Sequence, residues 1–158
     1  MKDFDKQNTT AAARSRSQNL ELNCILQDFD ESYQRYAAHI GVSEPTLWLL
    51  YSLSTTDKEM TQNELAKLWS TPKQTINFAI SNLIKKGLVE LVPIPSAKNS
   101  KAVHLTDAGH EYCNQYVQPL LHAEERAFER MTDEEASFLL ALLRKNKTYF
   151  EEEIEKIL

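Results

Sequence analysis

Residues 61–93 read TQNELAKLWSTPKQTINFAISNLIKKGLVELVP, and the punctuation of this stretch decides the fold. Thr61-Gln62-Asn63-Glu64 has the form S/T-x-x-E. In that pattern the first hydroxyl accepts from the fourth amide and the fourth carboxylate returns to the first. It predicts a short helix with Leu65, Ala66 and Leu68 on its inner face. Ser70-Thr71-Pro72 stops that helix and starts another, since proline suits a first helical position, where no amide hydrogen bond is lost. The second helix is expected to run to Lys86, with Gly87 as the residue just past its end. Two short helices joined by about three residues, the second longer, form a helix-turn-helix candidate. Leu88 to Pro93 then reads as a strand, Pro95 to Ser100 as a polar tip and Lys101 to Leu105 as a returning strand. A β-hairpin placed directly after the second helix is a wing.

Outward from this core the chain is helical. Upstream, Leu22, Ile25, Leu26, Phe29, Tyr33, Tyr36 and Ile40 recur at helical spacing, and Gly41 ends the run. Ser43 reads as an N-cap with Pro45 in the first turn of a helix carrying Leu47, Leu50 and Tyr51. Downstream, Thr106-Asp107 caps a long helix expected to continue to about Met131. Thr132-Asp133-Glu134-Glu135 repeats the capping box. It opens a last helix with Phe138, Leu139, Leu142, Leu143, Phe150, Ile154 and Ile157 on one side. The expected fold is mainly α with a small β-hairpin wing, a winged helix-turn-helix with flanking dimerisation helices. Residues 1–17 are polar and read as a disordered arm, with Ala11-Ala12-Ala13 as a stretch that could start a helix. Residues 18–42 and 107–158 read as the dimerisation region, and 43–106 as the winged helix-turn-helix. The outer apolar stripes have few partners within one chain, which points to a second copy.

The second helix of the motif has two sides. At about 100° per residue from Lys73, the residues Ala79, Leu83, Ile76 and Ile80 fall between roughly 240° and 340°, facing the core. Lys73, Asn77, Ser81, Gln74, Lys85 and Phe78 fall between roughly 0° and 140°. That outer arc carries no carboxylate, whereas an ordinary solvated helix face mixes glutamate with lysine. Asparagine and glutamine pair with adenine in a major groove, and lysine reaches guanine or phosphate. Phe78 suits either thymine methyl groups or burial beneath the wing. The net charge of −5 does not suit a polyanion, but its distribution does. Residues 59–106 hold six lysines against three glutamates, a net +3 that leaves −8 for the rest of the chain. Lys98 and Lys101 belong to the wing, where each phosphate they neutralise would add a salt-dependent share of affinity.

Several runs together resemble the MarR family of transcriptional regulators. They are Thr61-Gln62-Asn63-Glu64-Leu65-Ala66, Lys73-Gln74-Thr75-Ile76-Asn77, Leu83-x-x-Lys86-Gly87-Leu88-Val89-Glu90 and Val103-x-Leu105-Thr106-x-x-Gly109. The resemblance spans roughly residues 20–155. It implies a homodimer joined through the terminal helices and a sequence-specific regulator, usually a repressor, on a pseudo-palindromic double-stranded DNA operator. It also implies release by a small, often phenolic, effector. On this reading Lys73, Gln74, Thr75, Asn77, Phe78, Ser81, Lys85, Lys98 and Lys101 contact DNA. The chain departs from the family at the wing. Ala97-Lys98-Asn99-Ser100-Lys101 stands where an Asp-x-Arg motif is common, and lysine is a poorer fork-shaped donor than arginine. The outer arc of the second helix also lacks arginine, so guanine readout rests on Lys73 or is weak.

The remaining chemistry is sparse. Tyr33, Tyr36, His39, Trp48, Tyr51 and Trp69 suit either the lining of an aromatic ligand pocket or packing in a core or interface. Cys24 and Cys113 are far apart and form no CxxC, which fits a reducing compartment. Acidic neighbours (Glu21, Asp28, Asp30) disfavour a reactive thiolate at Cys24. His39, His104, His110 and His122 form no HxH or HExxH motif, so no metal or cofactor is expected, although His122 and Glu125 share a helix face. Glycine-rich phosphate loops and nucleophile motifs are absent, which argues against an enzyme. Residues 1–19 contain no apolar signal core, and the longest apolar run, Leu47 to Tyr51, is too short to cross a bilayer. A cytoplasmic protein is expected. The rival class is a winged-helix protein-interaction module without specific DNA binding, for which an exposed Phe78 would be the best support.

Overall fold

The computed structural model describes residues 3–56, 58–95 and 100–158. Its elements in order are α1 (Asp3–His39), α2 (Glu44–Thr55), α3 (Gln62–Leu68), α4 (Lys73–Lys85), β1 (Val89–Pro93), β2 (Lys101–Leu105), α5 (Asp107–Tyr116), α6 (Gln118–Glu129) and α7 (Asp133–Glu155). Among the described residues, seven helices and a two-stranded antiparallel hairpin match the mainly α winged architecture expected. The chain divides into two compact units, Met1–Glu111 and Tyr112–Leu158.

The first unit contains the winged helix-turn-helix. Its core is built by Leu47, Leu49 and Leu50 of α2, Leu65 and Ala66 of α3, and Ile76, Ala79, Ile80 and Leu83 of α4, all buried. Helix α2 packs on α4 and β2, and α3 packs on α4. The capping box forms as the sequence predicts. Thr61 N donates to Glu64 Oε2 at 2.8 Å and Glu64 N donates to Thr61 Oγ1 at 3.3 Å. The bond from Thr61 N, a second from Thr61 Oγ1 to Glu64 Oε2 at 2.9 Å, and Lys58 nearby hold the Glu64 carboxyl below its ordinary value. A bridge from Thr61 to Ala102, with Val103 N donating to Met60 O at 2.9 Å, ties the start of α3 to the hairpin. The hairpin pairs Val89 with Leu105 through to Pro93 with Lys101.

The turn between α3 and α4 is a Schellman motif. Ser70 N donates to Lys67 O and Thr71 N to Ala66 O, with Ser70 at φ 48°. A serine occupies the left-handed position where glycine is usual. Pro72 is the N-cap of α4 and not its first helical residue.

Three further features differ from the sequence reading. Helix α1 starts at Asp3, so residues 3–17 belong to it and not to an arm. Nothing between Met1 and Ile40 breaks a helix, since glycine and proline are absent there and Ala11 to Ala13 favour it. Leu68 points outward and is 56% exposed, unlike Leu65 and Ala66. Ser43 is the N-cap of α2 by position, but its hydroxyl pairs with Thr46 Oγ1 at 2.8 Å and caps no amide.

The expected single helix from Asp107 to Met131 is split. α5 ends at Tyr116 and α6 begins at Gln118, with Pro119 in its first turn. Proline cannot donate to the carbonyl one turn back and its ring crowds it, so the helix is interrupted just before it. The rings of Tyr112 and Tyr116 meet tilted, 4.6 Å between centroids. The second capping box is intact, Thr132 N donating to Glu135 Oε2 at 2.9 Å and Glu135 N to Thr132 Oγ1 at 3.2 Å. Helix α7 has no buried residue anywhere along its length.

Candidate nucleic-acid interface

Helix α4 is amphipathic in the sense the sequence predicts. Ile76, Ala79, Ile80 and Leu83 are buried on one side. Lys73, Gln74, Asn77, Phe78, Ser81 and Lys85 are exposed on the other, and Thr75 is half-buried. The whole helix, KQTINFAISNLIK, contains no aspartate or glutamate. No side chain caps its N-terminus and no acid sits in its first turn. The positive end of its dipole therefore meets solvent uncompensated, a disposition that favours an anion. Phe78 is 71% exposed, so burial beneath the wing does not occur. Ile84, which the sequence reading left out, also lies on this side and is 41% exposed.

A second component escaped the sequence reading. A hollow of about 350 Å³ lies between α3, α4 and the hairpin, lined by Thr61, Gln62, Asn63, Asn77, Leu91, Ser100 and Lys101. It brings Asn77 of α4 together with Lys101 at the start of β2 and with two amide side chains at the start of α3. The signal available in the sequence was the Gln62-Asn63 pair directly after the capping threonine. Lys101 is exposed; Lys98 lies outside the described residues.

The aromatic residues singled out from the sequence divide into two groups. Trp48 is central to the first, at 4.6 Å from Tyr33, 5.5 Å from Tyr51 and 4.4 Å from Trp69 between ring centroids. Ser52, buried between them, donates to Trp48 O at 2.9 Å and accepts from Trp69 Nε1 at 2.6 Å. Tyr36 and His39 form a separate pair at 6.3 Å. The first group packs ring on ring and links α1, α2 and the end of α3.

Cys24 is exposed and Cys113 buried. Burial pushes the Cys113 thiol up to about 11, so at neutral pH almost none of it is the nucleophilic thiolate. Iodoacetamide at pH 8 should therefore alkylate Cys113 only after the chain is unfolded in denaturant, as read by mass spectrometry of the peptide. Equal rates in native and unfolded protein would contradict its burial. His104 Nε2 lies 3.9 Å from Glu59 Oε1, beside a hollow of about 150 Å³ that His110 also lines. Among the described residues, no three His, Cys, Asp or Glu side chains converge as metal ligands. No described helix is long and apolar enough to cross a membrane.

A buried-stripe helix following a short capped helix, with an antiparallel hairpin behind it, defines a winged helix-turn-helix protein. Comparison with known proteins narrows the class. A sequence profile of the MarR family matches residues 40–98. The fold resembles that of a MarR family regulator from Neisseria meningitidis, with TM-score 0.76 at 20% identity over 89% of this chain and 99% of that one. It also resembles Staphylococcus aureus MepR in a complex with DNA, with TM-score 0.65 at 17% identity over 83% of this chain and 96% of that one. A MarR family regulator of Listeria monocytogenes complexed with a 26mer DNA gives TM-score 0.66 at 18% identity over 84% and 88%. No curated protein sequence matches. The chain carries the fold of MarR family regulators, and its residues 40–98 match that family's sequence profile.

Proposed function

We propose that this chain is a transcriptional regulator, not an enzyme, that binds a pseudo-palindromic DNA operator as a homodimer. The observation that carries the proposal is the outer face of α4, exposed, free of carboxylates and backed by a fully buried stripe. Gln74 and Asn77 would read base edges, with Lys73 on guanine or phosphate. Thr75, Ser81, Lys85, Lys98 and Lys101 would contribute further contacts, mostly to the backbone. Two copies would set their α4 helices about one DNA turn, roughly 34 Å, apart. The exposed stripe of α7 and the exposed Leu20, Ile25, Leu26 and Phe29 of α1 support the dimer. The family resemblance supports a repressor working in the cytoplasm. The family resemblance is also what supports release by a small aromatic effector. Two DNA-bound relatives of the same fold support the choice of partner.

The test is a gel shift of purified protein with DNA from its own upstream region, at two salt concentrations and against random competitor. A complex that survives competitor and weakens steeply with salt is expected. Asn77→Ala should relax base preference and cost about 1–3 kcal/mol, the worth of a bidentate base contact. No shift at low salt from folded, dimeric protein would overturn the proposal. It would favour a protein-binding module working through the exposed Phe78 instead.

A further inference from the structure

Phe78 is the more exposed of two large apolar groups on the outer face of α4, at 71% against 41% for Ile84, and hydrogen bonding can use neither. Phe78 is also more open than Phe138 and Phe150 of α7 or Phe29 of α1. Its neighbours one turn away are polar, with Gln74 and Thr75 before it and Ser81 and Asn82 after it, so nothing apolar on its own helix shelters it. To one side lies an apolar hollow of about 410 Å³, lined by Val42, Thr46, Leu83, Lys85 and Lys86 among others, which Phe78 borders without being covered by it. Lys85 lies two turns further along the same line of the helix and is exposed.

An exposed phenylalanine among cations and amides, on a helix without one carboxylate, fits a partner that is anionic overall and presents an isolated apolar group. The major groove of DNA is such a surface. Its apolar feature is the 5-methyl group of thymine, which 5-methylcytosine shares. We infer that Phe78 is a specificity determinant that reads a pyrimidine 5-methyl group in each half of the operator. The inference rests on the DNA-binding reading above, and it assigns to Phe78 a role distinct from the hydrogen-bonding readers Gln74 and Asn77.

The probe is a duplex selected from a random-sequence pool by the full-length protein, in which each thymine is replaced in turn by uracil. That change removes the methyl group and nothing else. At one position per half-site, the wild-type protein should lose about fourfold in affinity per methyl, and about fifteenfold when both halves are changed together. Phe78→Ala should bind the thymine and uracil duplexes alike, at about the affinity of wild type for the doubly substituted duplex. Phe78→Leu should keep part of the discrimination. Because Phe78 supports no core, circular dichroism should show both variants folded. The inference falls if uracil leaves wild-type binding within about twofold at every position, or if Phe78→Ala still discriminates as wild type does. It also falls if the selected sites contain no thymine in each half. In each of those cases the DNA-binding reading stands. Failure of folded, dimeric protein to select any duplex overturns both.

Discussion

Gly109→Ala should destabilise the protein by about 3 kcal/mol or more, at or above the upper end of overpacking costs, because the added methyl has nowhere to go. A Cβ on Gly109 would lie 2.0 Å from Leu88 O, 3.0 Å from Leu88 C and 3.2 Å from Leu105 Cδ2. The first two are backbone atoms, and side-chain rotation cannot relieve that overlap. Nor can the backbone move easily. Leu88 O accepts from Thr106 N at 3.1 Å, and Thr106 Oγ1 donates to Gly87 O at 2.6 Å while accepting from Gly109 N at 3.0 Å. These bonds lock the end of α4, both strands of the hairpin and the start of α5 into one junction. Pushing on it moves the wing relative to the reading helix, so DNA affinity should fall together with the urea midpoint. Gly41→Ala and Gly87→Ala are the controls. Both glycines have positive φ, 72° and 70°, and nothing within 4 Å of an added Cβ. They should cost only the left-handed penalty of about 1–2 kcal/mol each. A Gly109→Ala variant that melts with wild type would refute the close approach.

The same junction shows what the sequence could and could not tell. The Leu88 strand, the Thr106 cap and Gly109 stood out as a family-like pattern, but the reason for the glycine was invisible until Leu88 O was placed against it. Local signals were read well where they are local. Both capping boxes, the glycine stops at Gly41 and Gly87 and the two-sided character of α4 depend on residues within a turn of one another. The reading failed where a competing local signal was underweighted. Pro119 interrupts the helix expected from Asp107 to Met131, and residues 3–17, polar enough to suggest disorder, contain nothing that opposes a helix. Leu68 was placed inside by periodicity alone, one residue before Trp69 leaves the helix to join the aromatic cluster. Ser70 adopts the left-handed turn conformation without the glycine that would have announced it. For the interface, α4 was legible because one helix face carries it. The hollow joining Gln62 and Asn63 to Asn77 and Lys101 was not, because it depends on how the hairpin returns beside α3.

Phe138→Asp combined with Leu142→Asp should convert the protein to a folded monomer and lower operator affinity by about a hundredfold or more. The two residues lie one turn apart on α7, 66% and 48% exposed, in the stripe continued by Leu139, Leu143, Phe150 and Ile154. Since α7 buries none of its residues in the single chain, charges placed there leave the chain's own core intact. Against a second copy the cost is different. Each large side chain buried in an interface contributes about 1.5–3 kcal/mol, and an unpaired carboxylate in its place adds a desolvation penalty. Sedimentation equilibrium should report a mass near 18.2 kDa for the variant and twice that for wild type. Binding to one half-site should persist weakly, because the face of α4 is untouched. What is lost is the gain from tethering two reading helices, which ranges over about 10²–10⁴ in affinity. Dependence on the spacing between half-sites should disappear with it. A variant that remains dimeric would place the interface elsewhere. A monomeric variant that retains full affinity for the palindrome would show that one chain reads the operator alone.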